Sequence, residues 1–347
     1  MTLWQRRATH FFEYAFIITF WALCIVPLFK PGLSIDTLAD GFLGRQFLAQ
    51  SFNGLRFLVG DRVFPTVLIG KEGQMFASGT FELSGYQHTY PFTQAELQAY
   101  QLRLDEIDSR LRQKGITFLI VIAPDKSTIY PQYVPDSITV VPGASRLGQF
   151  IQHMAKHSRI QIVDLRSDLI QASQKGPVYY KTDIHWTYMG EYIAYSKVLA
   201  ALSPRFPELQ PHHTSDYKLL SLGENTLALA NVAGLPFIKE KRWRLVPKFT
   251  YSGYTAEFPI SPELWRTLTV FQNQDSSLPS LLVFHDSFFL QVNPLFTPHF
   301  SRVISVATKD PRYMNLNLVD VMKPDIVILE FSESHMTFEE DTIPALK

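Results

Sequence analysis

Short unbroken apolar runs alternate with amphipathic ones along most of the chain, and the two patterns predict different elements. Ile116 to Ala123, Ile160 to Leu165, Leu281 to Phe284 and Ile326 to Phe331 are continuous and apolar, the pattern of strands buried on both faces. Val67 to Gly70 and Arg302 to Thr308 read as two more strands. Thr93 followed by Glu96 has the sequence of a capping box, which predicts a helix to about Lys114 with Gly115 as its stop. Ser145 to about His157, Thr187 to about Leu202 and Phe288 to Phe296 read as further helices. Strand and helix therefore alternate as a parallel α/β sheet requires.

Two regions break this rhythm. From Ser203 to about Pro279, eight prolines interrupt the chain and periodicity is weak, predicting a strand-rich or irregular insertion. Its His212-His213 pair, Trp243, Trp265, Tyr251 and Tyr254 could line a sugar groove or form local core, and metal binding by the two histidines would need a convergent third ligand. At the other end, Phe11 to Phe29 is apolar apart from Glu13 and Thr19, and follows Arg6 and Arg7. About 19 residues of helix reach about 28 Å, enough to cross a bilayer, so this stretch predicts an uncleaved signal anchor with the rest of the chain exported; a buried core helix is the alternative. Leu38, Phe42, Phe47, Leu48 and Phe52 then predict an amphipathic helix serving as a stalk or cap.

Composition narrows the chemistry. The formal net charge is zero, which argues against binding nucleic acid through bulk electrostatics. The single cysteine, Cys24, lies inside the expected anchor, so the exported part has no thiol nucleophile and no internal disulfide. Two polar interruptions stand out instead. Tyr179-Tyr180-Lys181-Thr182-Asp183-Ile184-His185-Trp186-Thr187 places a carboxylate two residues before an imidazole, and the strand ending at Phe284 runs into His285-Asp286-Ser287. A serine hydroxyl needs a base to take its proton, and histidine's ordinary pKa of about 6.5 suits that task. Ser287 is the candidate nucleophile, His185 its base and Asp183 the group that orients the imidazole. An Asp-x-His pair by itself is equally compatible with two metal ligands or a polar turn. Asp125 and Lys126 follow the strand ending near Ala123, where ligand groups often sit in open α/β sheets; Lys126 could meet substrate or be a solvated loop residue.

Thr182-Asp183-Ile184-His185-Trp186-Thr187 together with Asp286-Ser287-Phe288 resembles the signature of the alginate O-acetyltransferase family, the AlgX and AlgJ type, whose catalytic domains resemble SGNH hydrolases. Val67 to Gly73 with Phe76, Ile122 to Lys126 with Tyr130-Pro131, Gly234-Leu235-Pro236 and Lys323 to Val327 match in the same order. The chain departs from the pattern at His285, where glycine is common, and at Glu333-Ser334, where relatives often have Glu-Arg.

The resemblance implies an SGNH hydrolase-like, flavodoxin-like α/β fold with a mostly parallel sheet flanked by helices. With the apolar and proline-broken stretches above, the expected layout is a tail and anchor over 1–30, a stalk or cap helix over 31–60 and a catalytic domain over 61–347 with the insertion at about 203–279. It also implies a Ser-His-Asp acetyltransferase acting on an exopolysaccharide in the periplasm, held to the inner membrane, without a cofactor or metal. A multipass membrane O-acyltransferase would supply acetyl. Trp186, Lys126 and Tyr180 are candidates for contacting the sugar, and the Ser287 N–H for the oxyanion. A carbohydrate acetylesterase or a non-catalytic polysaccharide-binding subunit are the alternatives.

Overall fold

The computed structural model describes residues 45–251, 253–258, 267–307 and 314–336. The expected anchor, the first part of the expected stalk helix and Trp265 lie outside them. Among the described residues no helix is long and apolar enough to cross a membrane. The chain divides into two compact units, 1–62 with 233–236, and 63–232 with 237–347. In the first, helix α1 (Arg45–Leu58) is joined to the short return segment by Asn53 Nδ2, which donates to Ala233 O at 3.0 Å.

The second unit opens with a three-stranded antiparallel sheet of β1 (Val63–Phe64), β2 (Val67–Ile69) and β3 (Met75–Ala77). A side chain at Gly70 would place its Cβ 2.2 Å from Tyr133 O, so only glycine allows this close approach. Helices α2 (Thr80–Gln87) and α3 (Gln94–Gln113) follow. The capping box of α3 is present: Glu96 N donates to Thr93 Oγ1 at 3.2 Å and Thr93 N to Glu96 Oε2 at 2.6 Å. Next come β4 (Thr117–Ala123), α4 (Lys126–Ile129), α5 (Arg146–His157), β5 (Gln161–Asp164), α6 (Arg166–Ser173) and α7 (Tyr188–Leu202).

The stretch expected as an insertion holds a hairpin of β6 (Tyr217–Asn225) and β7 (Glu240–Pro247), with α8 (Ala228–Val232) between them. It then contributes β8 (Gly253–Phe258) and β9 (Thr267–Asn273), which are not apart from the main sheet but extend its edge. The chain closes with β10 (Ser280–His285), α9 (Ser287–Phe296), β11 (Arg302–Ala307), α10 (Leu316–Met322) and β12 (Ile326–Ser332).

The central sheet has the order β5-β4-β12-β10-β11-β9-β8. Its first five strands are parallel, β9 runs antiparallel to β11, and β8 antiparallel to β9. Alternation along the buried strands sends Leu119, Val121, Leu281 and Val283 to one face, against α7 and α9, and Ile120, Ile122, Leu282 and Phe284 to the other, against α3 and α5. Each such side chain contributes about 1.5–3 kcal/mol by leaving water, so the middle strands are the rigid part of the molecule. Their order has a functional consequence. The carboxyl ends of β4, β12 and β10 are neighbours, and so are the residues that follow them: Asp125-Lys126, Glu333 to His335, and Asp286-Ser287.

Candidate active site

All six residues of β10 are buried, and His285 stays in the strand, paired with Ala307. The extended backbone there needs no glycine. His285 Nδ1–H donates to Asp286 O at 2.6 Å while Nε2 accepts from Ser305 Oγ at 2.6 Å. Burial lowers its pKa to about 4, so the ring is a neutral structural piece. Asp286 caps α9: its Oδ1 accepts from Phe288 N at 2.9 Å, and its Oδ2 accepts from Ser332 N at 2.8 Å and lies 3.1 Å from His335 Nδ1. Burial opposes the charge on Asp286, but His335 and the two backbone N–H groups outweigh it and hold the carboxyl below its ordinary value. Ser287, the first residue of α9, is exposed, and its N–H lies in the first turn, where the helix dipole favours negative charge.

The second arm is a loop closed by a β-bridge between Tyr179 and Trp186. Tyr180 N donates to His185 O at 3.1 Å inside it, and Thr187 then caps α7 by accepting from Met189 N. Gly190 permits the packing, since a Cβ there would stand 2.4 Å from Val178 O. Asp183 Oδ1 accepts from Ile184 N at 2.7 Å and His185 Nδ1 at 2.8 Å, and its Oδ2 accepts from Ala228 N at 3.3 Å. Here too burial works against ionisation and is outweighed, chiefly by His185, so Asp183 is held below the usual carboxylate value. His185 Nε2 lies 2.8 Å from Ser287 Oγ, 102 residues away in sequence. Ser287, His185 and Asp183 thus form one hydrogen-bonded row with the tautomer set by Asp183: Nδ1 carries the proton and Nε2 can take one.

The other three sequence candidates are placed differently. Lys126 is 5% exposed rather than solvated, and its ammonium donates to the carbonyls of Met75 (2.8 Å), Tyr180 (2.7 Å), Lys181 (2.8 Å) and Asp183 (3.3 Å). It ties β3 to the loop that carries Asp183. Burial, partly offset by Glu240 and Asp183, pulls its pKa down to about 7. Trp186 is 1% exposed and meets Phe288 edge-on at 5.0 Å, which makes it core beneath Ser287 rather than a surface for stacking sugar. Tyr180 is buried as well, its hydroxyl 3.3 Å from both Trp243 N and Trp243 O.

Sequence reasoning missed several groups. Glu240 on β7 accepts from Lys181 N, Thr182 N and Thr182 Oγ1 at 2.8–2.9 Å, fixing the loop from outside. A cavity of about 250 Å³ opens at Ser287, and Glu82, Asp125, Lys126, Ser334 and His335 are among its walls. Behind it, Asp125 N donates to Glu333 Oε2 at 3.0 Å, and burial and the other carboxyls raise the pKa of Asp125. Burial likewise raises Glu333 and, beneath Asp286, Glu330. For Glu333 to His335 the only signal is their position after a strand, and strand order is not visible in the sequence; Glu82, Glu240 and Glu330 lie inside elements and carry no local signal. Among the described residues no three metal-ligating side chains converge, and His212 packs on Phe249 at 4.2 Å.

A mostly parallel α/β sheet with this row at its carboxyl edge defines an SGNH hydrolase-like domain. The family profile described as "SGNH hydrolase-like domain, acetyltransferase AlgX" matches residues 67–251, more than half of the chain, and the chain belongs to that family. The matched span includes Asp183 and His185 and ends before Ser287. A relative from Pseudomonas syringae pv. tomato, "Probable alginate O-acetylase AlgJ", is 29% identical over 171 residues, covering 48% of this chain and 41% of the relative, so the match spans less than half of that protein. Among solved structures, Bacillus cereus PatB1 superposes with a TM-score of 0.59 at 14% identity, covering 80% of this chain and 99% of that one. The O-acetyltransferase domain of Pseudomonas putida AlgJ does so with a TM-score of 0.53 at 19% identity, covering 80% and 95%. At these identities the two structures speak to the fold alone.

Proposed function

We propose that this protein is an O-acetyltransferase that places acetyl groups on hydroxyls of an exopolysaccharide through an acetyl-Ser287 intermediate. The observation that carries the reading is the row Asp183–His185–Ser287, with 2.8 Å at each link and a cavity at its open end. Membership of the acetyltransferase family supports the reaction class.

In the first half, Ser287 Oγ attacks the donor's acetyl carbonyl while His185 Nε2 takes the serine proton. Asp183 stabilises the imidazolium that forms, and the Ser287 N–H at the start of α9 faces the developing oxyanion. Collapse breaks the bond to the donor's leaving group, which receives the proton from His185. In the second half His185 takes the proton of a sugar hydroxyl, that oxygen attacks acetyl-Ser287, and the serine leaves with the proton restored. Transfer to sugar rather than water requires the acceptor to be held in position while water is outcompeted. Residues 61–347 are the catalytic domain in this reading. Phe11 to Phe29 hold it on the outer side of the inner membrane, beside a multipass acyltransferase that delivers acetyl.

The test is a product assay with the full-length protein, an activated acetyl ester and a panel of oligosaccharides. Acetylated sugar that disappears in Ser287→Ala supports the transferase. Acetate release unaffected by any sugar would make the protein an esterase, and equal sugar acetylation by Ser287→Ala would remove the triad from the account.

A further inference from the structure

We propose that His335 holds the acceptor sugar beside Ser287, meeting its hydroxyls from the part of the cavity wall that follows β12. The inference rests on the transferase reading above and names a binding residue for its second half. It begins with a repetition in the site. Asp183 accepts from the backbone N–H groups of Ile184 and Ala228 and from His185 Nδ1 at 2.8 Å. Asp286 accepts from the backbone N–H groups of Phe288 and Ser332 and has His335 Nδ1 at 3.1 Å. In each pair the histidine is the strongest influence that holds the carboxyl down against burial. The first pair carries the proton transfers of the mechanism. The second, which begins one residue before Ser287, has no part in them.

His335 is placed to meet a ligand. Its ring lines the same cavity of about 250 Å³ as Ser287, together with the hydroxyls of Ser127, Ser332 and Ser334. Nδ1 is turned to Asp286 Oδ2 and to Ser332 Oγ, the latter 2.7 Å away, and the carboxylate keeps the proton on Nδ1. Nε2 can then accept from a sugar hydroxyl, and in the charged ring it can donate to a sugar oxygen; a hydroxyl suits both. His335 also bears on Glu82 in the same wall, opposing the rise that burial causes in its carboxyl. An acetyl group calls for a partner to its carbonyl oxygen and little else, so hydroxyls and an oriented imidazole beyond Ser287 point to the acceptor. The cavity is smaller than the roughly 300 Å³ at which drug-sized pockets begin, so a single ring brought to Ser287 fills it and touches the wall after β12. A contact there fixes the acceptor hydroxyl against acetyl-Ser287, the condition under which transfer outruns hydrolysis.

The experiment uses the full-length protein with an activated acetyl ester and, as acceptors, a cello-oligosaccharide and an oligomannuronate. Acetylated sugar and acetate are measured in the same reactions, and their ratio at a fixed concentration of the better acceptor is compared among variants. His335→Asn, whose amide can still meet Asp286 as Nδ1 does, is expected to lower that ratio at least about tenfold, with KM for the acceptor rising more than kcat falls. His335→Gln, whose amide reaches toward the position of Nε2, should recover part of the loss. His335→Ala replaces the asparagine variant if that one does not fold. A smaller fall, a glutamine variant no better than the asparagine one, or transfer and hydrolysis falling together overturns the inference, because a histidine that only props Asp286 slows both alike. Mass spectrometry of Ser287 in the wild type keeps the two readings apart. A protein that passes acetyl from Ser287 to sugar with a ratio that no variant moves loses only the His335 contact. One that never acetylates on Ser287, or gives that acetyl to water alone, loses the transferase reading and this inference with it.

Discussion

Two sets of buried carboxyl groups lie around Ser287, and burial has opposite outcomes for them. Asp183 and Asp286 are pulled below the ordinary carboxylate value because backbone N–H groups and a histidine converge on each. Asp125, Glu333 and Glu330 are pushed above it because burial and neighbouring acids prevail. Burial opposes the charge in every one of them, so the donors that reach each group decide the direction of its shift. The pair with lowered pKa are the carboxylates on either side of Ser287. One orients His185, the other caps α9, and the acids with raised pKa lie behind them.

The sharpest way to break this contrast is to remove charge from Asp183 without changing its shape. Asp183→Asn is expected to lower kcat by about 10⁴-fold, because His185 loses the partner that fixes its tautomer, while the thermal midpoint moves little. A loss below tenfold in steady-state kinetics would leave Asp183 a loop residue only. Lys126→Met comes next. It removes a donor from the buried carbonyls of Met75, Tyr180 and Asp183, while Lys181 O still accepts from Met75 N, and should cost about 2–4 kcal/mol in denaturant unfolding, with kcat falling more than KM changes. An unchanged kcat in the folded variant would mean that the tether does not set the position of Asp183.

Asp286→Asn and Glu330→Gln should respond to pH with opposite signs. The folded pKa of Asp286 is depressed, so its charge adds stability above the unfolded value and loses it as pH falls through the folded one. The deficit of Asp286→Asn, about 1–2 kcal/mol near neutrality, should therefore shrink in acid. The folded pKa of Glu330 is raised, so the unfolded chain ionises first and the wild type loses stability as pH rises above about 4.5. Glu330→Gln should gain on the wild type over that range. Parallel pH profiles for the two variants would refute the division into carboxyls of lowered and of raised pKa. The smallest effect is expected at Trp186→Phe, about 1 kcal/mol of stability with KM for sugar within about twofold, since the indole is packed on Phe288. A large rise in KM alone would restore it as a sugar contact.

The parts of this site that could be read in the sequence are those whose signal is local. Ile116 to Ala123 and Leu281 to Phe284 are unbroken apolar runs and fold as central strands, and Thr93 with Glu96 caps its helix as the motif predicts. Asp183 and His185 stand out as a carboxylate two residues before an imidazole and Ser287 by its place after a strand, and the fold brings the three within hydrogen-bonding distance. What escaped depends on which strands become neighbours. Ser334 and His335 reach the cavity, with Glu333 behind it, because β12 lies between β4 and β10, an adjacency spanning some 200 residues of chain. Lys126 stands at the strand exit where a ligand group is expected, but β3 comes from the N-terminal side and covers it. Prolines and weak periodicity concealed β8, the edge strand, and β9 between it and β11.

The central claim is that Ser287 carries the acetyl group between donor and sugar. The direct measurement is peptide mass spectrometry on the full-length protein, quenched early after exposure to an activated acetyl ester and again after addition of an acceptor oligosaccharide. The account predicts an added acetyl group on Ser287 that disappears as acetylated sugar forms, and no adduct there in His185→Ala. Sugar acetylation with Ser287 unmodified at every time, under conditions that trap the ester of a known acyl-enzyme, would contradict it.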